Sequence, residues 1–254
     1  MKVLLLSDIH SNLEALEAVL SAFPPSSITA TWSAGDITGY GPDPSACIHR
    51  IQALRGLRGV LGNHDRVVAG LSAPIGFNPL AIQAAYRNIQ LLQTGDADWL
   101  RSLPGSELLT PEIGLYHGSP CDPDEYLLTA ESAESSFILM EKNAVKLGIF
   151  GHTHVPALYM FDSVTRKISD LDPQPDSSFS LDLRGEKRYL LNPGSVGQPR
   201  DGNPNAGFAL LTFSEEGTIE VKFKRIVYPV ADCQEKMVRA GFPERLHKRL
   251  SIGF

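Results

Sequence analysis

The sequence predicts an α/β (α+β) protein, and two observations lead to this fold class. Apolar runs of strand length alternate with helical patterns as far as residue 150, so that strand, helix and strand follow one another as in a βαβ unit. From residue 157 onward the pattern changes to successive strands. A chain of 254 residues can bury a large core, and we expect one domain over residues 1–254.

The first elements set the pattern for the rest of the chain. Val3–Leu6 is a continuous apolar run, which is typical of a buried strand. Ser11 or Asn12 can cap the following helix, whose apolar residues keep helical spacing until Pro24-Pro25 ends it. Ile28–Ala34 then predicts the second strand and completes a βαβ unit.

The same reasoning predicts the remaining elements. Further strands are predicted at Arg58–Leu61, Glu107–Thr110, Ile113–Tyr116, Leu147–Phe150, Ala157–Phe161, Arg188–Leu191, Phe208–Phe213 and Ile219–Tyr228. Further helices are predicted at Ser45–Leu54, Pro79–Leu92, Asp96–Leu103 and Ala133–Lys146, and from Ala231 onward. Asp170–Asp182 predicts a mobile loop, and the basic stretch Arg245–Arg249 predicts a solvated face.

Composition and charge exclude several functional classes. The apolar fraction of 43% and charged fraction of 20% are ordinary for a soluble globular protein, and a net charge of −6 leaves no broad basic surface for nucleic acid. The apolar run before Asp8 is too short for a signal peptide, and we find no run of about 20 apolar residues. Scattered cysteines at 47, 121 and 233 predict reduced thiols. We therefore expect a cytoplasmic protein without membrane contact.

Polar clusters follow the apolar runs at five places. They are Asp8-Ile-His10, Gly35-Asp36, Gly62-Asn-His-Asp65, His117-Gly118 and Gly151-His-Thr-His154. Each residue alone could serve a turn or a helix cap. The carboxyl ends of strands in an open α/β sheet, however, are where ligands bind. Together the clusters therefore indicate one metal-binding site.

The chemistry of these side chains narrows the choice of metal. Carboxylate, amide and imidazole ligands without thiolate suit Mn²⁺, Fe²⁺ or Zn²⁺ better than copper or an iron–sulfur cluster. The number of candidate ligands exceeds what one tetrahedral ion needs. Two metals about 3.5–4 Å apart would use them, and such pairs serve in-line displacement at phosphorus.

In this order, the five clusters resemble the signature of the calcineurin-like metallophosphoesterases. All five blocks match, between residues 8 and 154. The later segment Asn192-Pro-Gly-Ser-Val-Gly197, with Pro199-Arg-Asp201, resembles the small single-domain bacterial and archaeal branch that contains phosphodiesterases. The resemblance implies a four-layer αββα sandwich, in which helices flank two mixed β-sheets and a dimetal site lies at the carboxyl ends of the strands.

The resemblance also implies roles for individual residues. Asp8, His10 and His154 would bind the first metal; Asn63, His117 and His152 the second; and Asp36 would bridge the two. His64 would act on the substrate, either by protonating the leaving oxygen or by stabilising charge on the phosphoryl oxygens, with Asp65 orienting its ring. A hydroxide that bridges the metals would be the nucleophile. Mn²⁺ is the favoured metal, with Fe²⁺/Fe³⁺, Zn²⁺ and Ni²⁺ as alternatives.

Three further residues are candidates for contact with the substrate. Arg200 could reach a phosphate or remain a surface charge, and Arg66 could face the site or pair with a surface carboxylate. Asn12 could hold substrate or cap a helix.

The predicted activity is hydrolysis of small phosphate esters, and phosphodiesters are favoured because no arginine lies between Asp36 and Tyr40 to clamp a dianionic phosphate. A phosphomonoesterase, a Ser/Thr protein phosphatase and a dinucleoside polyphosphate hydrolase remain alternatives on the same metal site. A non-catalytic scaffold is a further alternative, and the retained His64 and ligand set argue against it.

Overall fold

Two β-sheets and the helices around them make up the protein, seen in a computed structural model that describes residues 1–254 apart from the side chain of Pro25. The strands are β1 Lys2–Leu6, β2 Ala30–Ser33, β3 Arg58–Gly59, β4 Glu107–Thr110, β5 Ile113–Leu115, β6 Leu147–Ile149, β7 Ala157–Asp162, β8 Lys167–Asp170, β9 Ser178–Asp182, β10 Lys187–Asn192, β11 Ala206–Phe213 and β12 Thr218–Ile226. The helices are α1 Leu13–Ser21, α2 Pro44–Gln52, α3 Asn63–Val68, α4 Pro79–Leu91, α5 Asp96–Ser102, α6 Glu134–Lys142, α7 Val230–Arg239 and α8 Glu244–Arg249.

Both sheets are mixed. The first has six strands in the order β3-β2-β1-β11-β12-β9, in which β1, β2 and β3 run parallel and the other pairs are antiparallel. The second also has six strands, in the order β4-β5-β6-β10-β7-β8, with β5, β6 and β10 parallel. Two mixed sheets flanked by helices were expected, and this prediction is confirmed.

Three hydrophobic cores separate four layers. Strand β1 shows why: Val3 and Leu5 pack into the core between the two sheets, whereas Leu4 and Leu6 pack against the helices on the outer face of the first sheet. A strand buried on both faces needs a continuous apolar run rather than an alternating one. On the far side of the second sheet, Phe137 of α6 and Leu190 of β10 belong to the third core. The order is therefore helices, sheet, sheet, helix.

The strand ends of both sheets meet at one edge. The loop after β1 carries Asp8, and the loop after β6 carries His152, whose backbone N–H donates to Asp8 Oδ2 at 3.1 Å. Gly151 can have no side chain here, because a Cβ would collide with Ser7 and Asp8. This close approach between loops of different sheets places the polar clusters together, as the strand-end pattern predicted.

Several sequence-based predictions need correction. The expected mobile loop Asp170–Asp182 contains strand β9, so only residues 171–177 connect β8 to β9, and the two edge strands β8 and β9 were not predicted. The cluster Gly62-Asn-His-Asp65, which follows a predicted strand, forms the N-cap and the first turn of α3. The basic stretch Arg245–Arg249 lies within α8, which buries Leu246 and is therefore more than a solvated face.

Within the described residues, every helix is too short or too polar to cross a lipid bilayer.

Candidate metal centre

The first group of candidate ligands comes from the loops after β1 and β6. Asp8 Oδ1 lies 3.8 Å from His10 Nε2 and 3.4 Å from His154 Nε2. The two imidazole Nε2 atoms are 3.0 Å apart. All three side chains are buried, and their ligand atoms lie within 4.8 Å of one another. This spacing allows all three to bind one ion.

The second group comes from the loops after β2, β5 and β6. Asp36, His117 and His152 each place one ligand atom within 4.8 Å of the others. Asn63, at the start of α3, brings its Oδ1 to 3.1 Å from His117 Nε2. The structure therefore gathers all seven predicted ligands into two adjacent groups.

Asp36 lies between these groups. Its Oδ2 is 3.6 Å from His10 Nε2 in the first group and 3.4 Å from His117 Nε2 in the second. Its Oδ1 accepts the backbone N–H of His64 at 2.9 Å. One oxygen is thus fixed by the protein, while the other faces both groups, as a bridging ligand must.

Two buried carboxylate oxygens without hydrogen-bond partners indicate that this site suits a cation. Asp8 Oδ1 and Asp36 Oδ2 are buried and have no hydrogen-bond partner among the described residues. By contrast, Asp8 Oδ2 accepts from Ser7 Oγ at 2.6 Å. A buried carboxylate oxygen left bare costs free energy unless a cation or donor satisfies it. The donor set therefore fits two divalent ions, one in each group.

The histidines are oriented for metal binding by backbone carbonyls. The Nδ1 atoms of His10, His117 and His154 lie 2.9, 2.8 and 2.5 Å from the carbonyl oxygens of Thr38, Ala34 and Gln198, respectively. A carbonyl only accepts, so Nδ1 carries a proton, and in the neutral form of each ring Nε2 presents a lone pair. In His152 the arrangement is reversed, because Nε2 donates to the carbonyl of Asp124 at 3.2 Å and leaves Nδ1 as the ligand atom.

The pKa values of the buried ligands show that the two carboxylates need positive charge beside them. Burial raises the pKa of Asp8 to about 7. Burial opposes protonation of His117, yet the Asp36 carboxylate raises the pKa of His117 to about 9. Burial holds the pKa of His10 and of His154 well below the usual range, so both stay neutral. Without metal, the buried carboxylates favour protons on themselves and on neighbouring histidines. Two bound cations would supply this positive charge instead.

The backbone is strained where the ligands sit. Positive φ angles occur at Asp8 (52°), His10 (49°), Asp36 (54°), His152 (65°) and His154 (62°). Such conformations cost about 1–3 kcal/mol each in residues other than glycine and persist where the surroundings enforce them. These backbone conformations therefore lower the free energy of unfolding, and they direct the five side chains toward one point.

His64 lies beside the first group and is not one of its ligands. Its ring centroid is 5.0 Å from that of His10, and Tyr40 and Phe77 pack on it at 4.5 and 4.4 Å. Burial lowers the pKa of His64 to about 4, so the imidazole is neutral. A Cβ on Gly39 would lie 2.5 Å from His64 Nδ1, so only glycine leaves room for this ring. A neutral imidazole can still donate one N–H to a substrate oxygen.

The predicted role of Asp65 is corrected by its contacts. The carboxylate accepts from Thr38 N and Thr38 Oγ1, both at 2.8 Å, and from Ile37 N and Gly62 N, both at 3.2 Å. His64 Nδ1 has no hydrogen-bond partner among the described residues. Asp65 therefore does not orient the ring of His64. It fixes the loop after β2, which carries Asp36.

We expect Asp65→Ala to lower the free energy of unfolding by about 3 kcal/mol, because it leaves buried N–H donors without an acceptor. Asp65→Asn should cost less, since one amide oxygen can still accept from Thr38 N. Urea unfolding of both variants without metal would measure the difference. Equal stability of Asp65→Ala and the unmodified protein would contradict this role.

The three residues predicted as candidates for substrate contact have different positions and partners in the structure. Asn12 caps α1 by accepting from Ala15 N at 3.1 Å, and its amide donates to the carbonyl of Gly197 at 2.9 Å, so its polar atoms serve the fold. Arg66 forms an ion pair with Asp124. Arg200 lies near the site, where its Nη2 is 3.3 Å from both the Tyr40 hydroxyl and Gln198 Oε1.

Asn88 was not identified from the sequence, and its side chain holds the loops after β1 and β2. Its Oδ1 accepts from Ser11 Oγ and Gly39 N, both at 2.7 Å, and its Nδ2 donates to the carbonyl of Gly41 at 2.8 Å. A signal was present in α4, where the buried face is otherwise alanine, at 81, 84 and 85. A polar residue at a buried helical position usually has a specific partner.

The segment Asn192–Gly197 holds the loop after β1 in place. Val196 N donates to the carbonyl of Ser7, and Gly197 N donates to that of Asp8, both at 3.0 Å. Ser195 Oγ donates to the same Asp8 carbonyl at 2.8 Å. This segment therefore supports the first group of ligands through its backbone.

Comparisons with known proteins agree with this geometry. A family model for the calcineurin-like phosphoesterase superfamily domain matches residues 1–216. A protein of Methanocaldococcus jannaschii, described as uncharacterized, is 32% identical over 256 residues, which cover 99% of this chain and 98% of the relative. Among solved structures, a metallophosphoesterase from Sphaerobacter thermophilus is 38% identical, with a TM-score of 0.85, and the match covers 100% of this chain and 99% of that one. A hypothetical protein from Pyrococcus horikoshii shares the fold, with a TM-score of 0.79 at 20% identity over 100% and 98% of the two chains.

Proposed function

Because this chain belongs to the calcineurin-like phosphoesterase superfamily, a family of phosphoester hydrolases with dinuclear metal centres, we propose that it hydrolyses small phosphodiesters. The observation that carries the phosphoesterase assignment is the pair of ligand groups, together with the unpartnered Oδ2 of Asp36, which lies near histidines of both groups. Bound divalent cations supply positive charge for the phosphoryl oxygens and acidify an attacking water. Manganese as the metal, and a cytoplasmic location, stay predictions.

The charge around the site supports a diester over a monoester. Within the part of the chain described, the cleft beside the ligands contains one cationic residue, Arg66, and Asp124 already neutralises it. Arg200 is a guanidinium whose charge acts on Asp8, His10 and His154, and its hydrogen-bond partners are neutral side chains. A diester carries one negative charge, whereas a monoester dianion gains from a second cation.

The residues of this chain would act on the substrate as follows. His64 donates an N–H to the oxygen atom on which negative charge develops, and its surroundings of Tyr40 and Phe77 keep the ring in one position. Asp65 and Asn88 hold the loop that carries Asp36 and Gly39. Because these side chains are already in position, the reaction needs little rearrangement of the site, and this lowers the activation free energy.

We expect kcat/KM with Mn²⁺ to be higher for bis(p-nitrophenyl) phosphate than for p-nitrophenyl phosphate, because the site offers one unpaired guanidinium rather than two. Steady-state kinetics on the two substrates with the same leaving group measure this ratio. A preference for the monoester of tenfold or more would replace the phosphodiesterase proposal with a phosphatase one.

Arg200→Ala provides the matching test of charge. The monoester reaction should lose more than the diester reaction, since a charge-assisted hydrogen bond to the dianion is worth about 1.5–3 kcal/mol. Arg184→Ala, which removes an exposed arginine paired with Asp182, is the matched control and should leave both reactions unchanged. Equal losses on the two substrates would show that Arg200 does not distinguish them.

A further inference from the structure

A cleft with aromatic walls opens beside the ligand groups. Its volume is about 480 Å³, and Asn63, His64 and His152 are among the residues that line it. The segments that enclose it are the connection between α3 and α4 and the connection between β5 and α6. A cleft of this size exceeds what a phosphate group needs, so it has room for an organic part of the substrate.

Tyr40, Phe77 and Tyr126 line this cleft, and the last two, which come from different segments, lie on different histidines of the site. Phe77 packs on His64 with ring centroids 4.4 Å apart and an interplanar angle of 39°. Tyr126 packs on His152 at 3.9 Å and 35°. Both rings therefore line the cleft directly beside histidines of the site.

Much of this surface is exposed to water. Tyr126 is 48% exposed, and Ile75 in the same cleft is 87% exposed. Apolar groups gain free energy when a ligand removes them from water, and aromatic faces favour stacking with planar rings. A phosphate group alone would leave these side chains exposed. A substrate with a planar ring would cover them.

Polar groups of the cleft favour a heterocycle over a plain hydrocarbon ring. Asn78 uses its Oδ1 to cap α4, accepting from Leu80 N and Ala81 N at 3.0 Å, so its amide N–H atoms stay available as donors. Ser72 also lines the cleft and can donate or accept at a ring edge, and the Asp124 carboxylate, which pairs with Arg66 through Oδ1, can accept through its other oxygen. A nucleobase presents donors and acceptors around a planar ring, and a simple aryl group does not.

We propose that this cleft binds the base of a nucleotide ester, and that Phe77 and Tyr126 determine this specificity. The inference rests on the proposed phosphodiesterase function and narrows its substrate class to nucleotide diesters. Stacking on an aromatic side chain is tolerant of base identity, because every base has a π face. The same cleft would therefore accept purines and pyrimidines.

Binding of two small probes to the Mn²⁺-loaded protein tests the inference without turnover. Adenosine 5′-monophosphate and ribose 5-phosphate carry the same phosphate and differ by the base. Isothermal titration should show the adenosine probe binding at least about tenfold more tightly, given the strength of base stacking on aromatic side chains. Tyr126→Ala and Phe77→Ala should each remove most of that difference, while Tyr126→Phe should keep it.

Tyr86→Ala is the matched control, because this exposed tyrosine lies on α4 outside the cleft. If an alanine variant does not fold, Tyr126→Leu and Phe77→Leu remove stacking but retain apolar bulk. Equal affinities of the two probes for the unmodified protein would overturn the inference. So would variants that weaken both probes in parallel, since the rings would then serve only to position His64 and His152. Failure of the proposed function itself would appear separately, as absence of diester hydrolysis.

Discussion

His64→Ala is expected to lower kcat for a phosphodiester by about 10²–10⁴ while leaving the metal content and the fold intact. The side chain lies next to the first ligand group but outside it, with its ring held between Tyr40 and Phe77. The hydrogen bond between His64 and Asp36 uses the backbone N–H of His64, and alanine retains that N–H. The substitution should therefore remove a group that acts on the substrate and nothing that holds metal.

The leaving group distinguishes the two roles open to His64. A general acid matters most when the leaving oxygen is basic, so the loss would be larger for an alkyl leaving group than for p-nitrophenol. A hydrogen bond to the phosphoryl oxygens would give similar losses for both, and the lowered pKa of His64 favours this second role. His49→Ala, which removes a half-exposed imidazole paired with Asp96, is the control. Loss of metal from His64→Ala would mean that His64 is a ligand.

The clustering of the candidate ligands could be predicted from sequence because each block is short and follows a strand, whereas the role of each ligand came from the family resemblance and stays a prediction. Asp8 and His10 are two residues apart, as are His152 and His154, and local spacing carries that information. Contacts between distant segments carry no such signal. Asp65 binds Ile37 and Thr38, which precede it by 28 and 27 residues, so sequence reasoning assigned it to the neighbouring His64 instead.

The second half of the chain was harder to predict for a different reason. Strands β8 and β9 lie at sheet edges and are half exposed, so they lack the continuous apolar run that marked β1. The aromatic walls of the cleft were missed because Phe77 and Tyr126 belong to irregular segments without periodicity. Their role follows from the histidines that they contact, and these contacts are visible only in the folded chain.

Asp36→Asn should weaken binding of both metals, because Asp36 Oδ2 faces both ligand groups. The substitution is mild for the fold, since an amide oxygen can still accept the N–H of His64 in place of Oδ1. The other position becomes an NH₂ group, which donates hydrogen bonds and cannot bind a cation. We expect each affinity to fall by more than about 100-fold, which exceeds the usual effect of losing an outer-sphere partner.

Equilibrium dialysis against Mn²⁺, followed by elemental analysis, measures this effect directly. The unmodified protein should bind two ions per chain, and Asp36→Asn should bind fewer than one at the same free concentration. Asp98→Asn, which changes an exposed aspartate paired with Arg101, is the matched control and should retain both ions. If Asp36→Asn lost one ion and kept the other at full affinity, Asp36 would belong to one group only. If the unmodified protein bound a single ion, the dinuclear assignment would be wrong, whatever its activity.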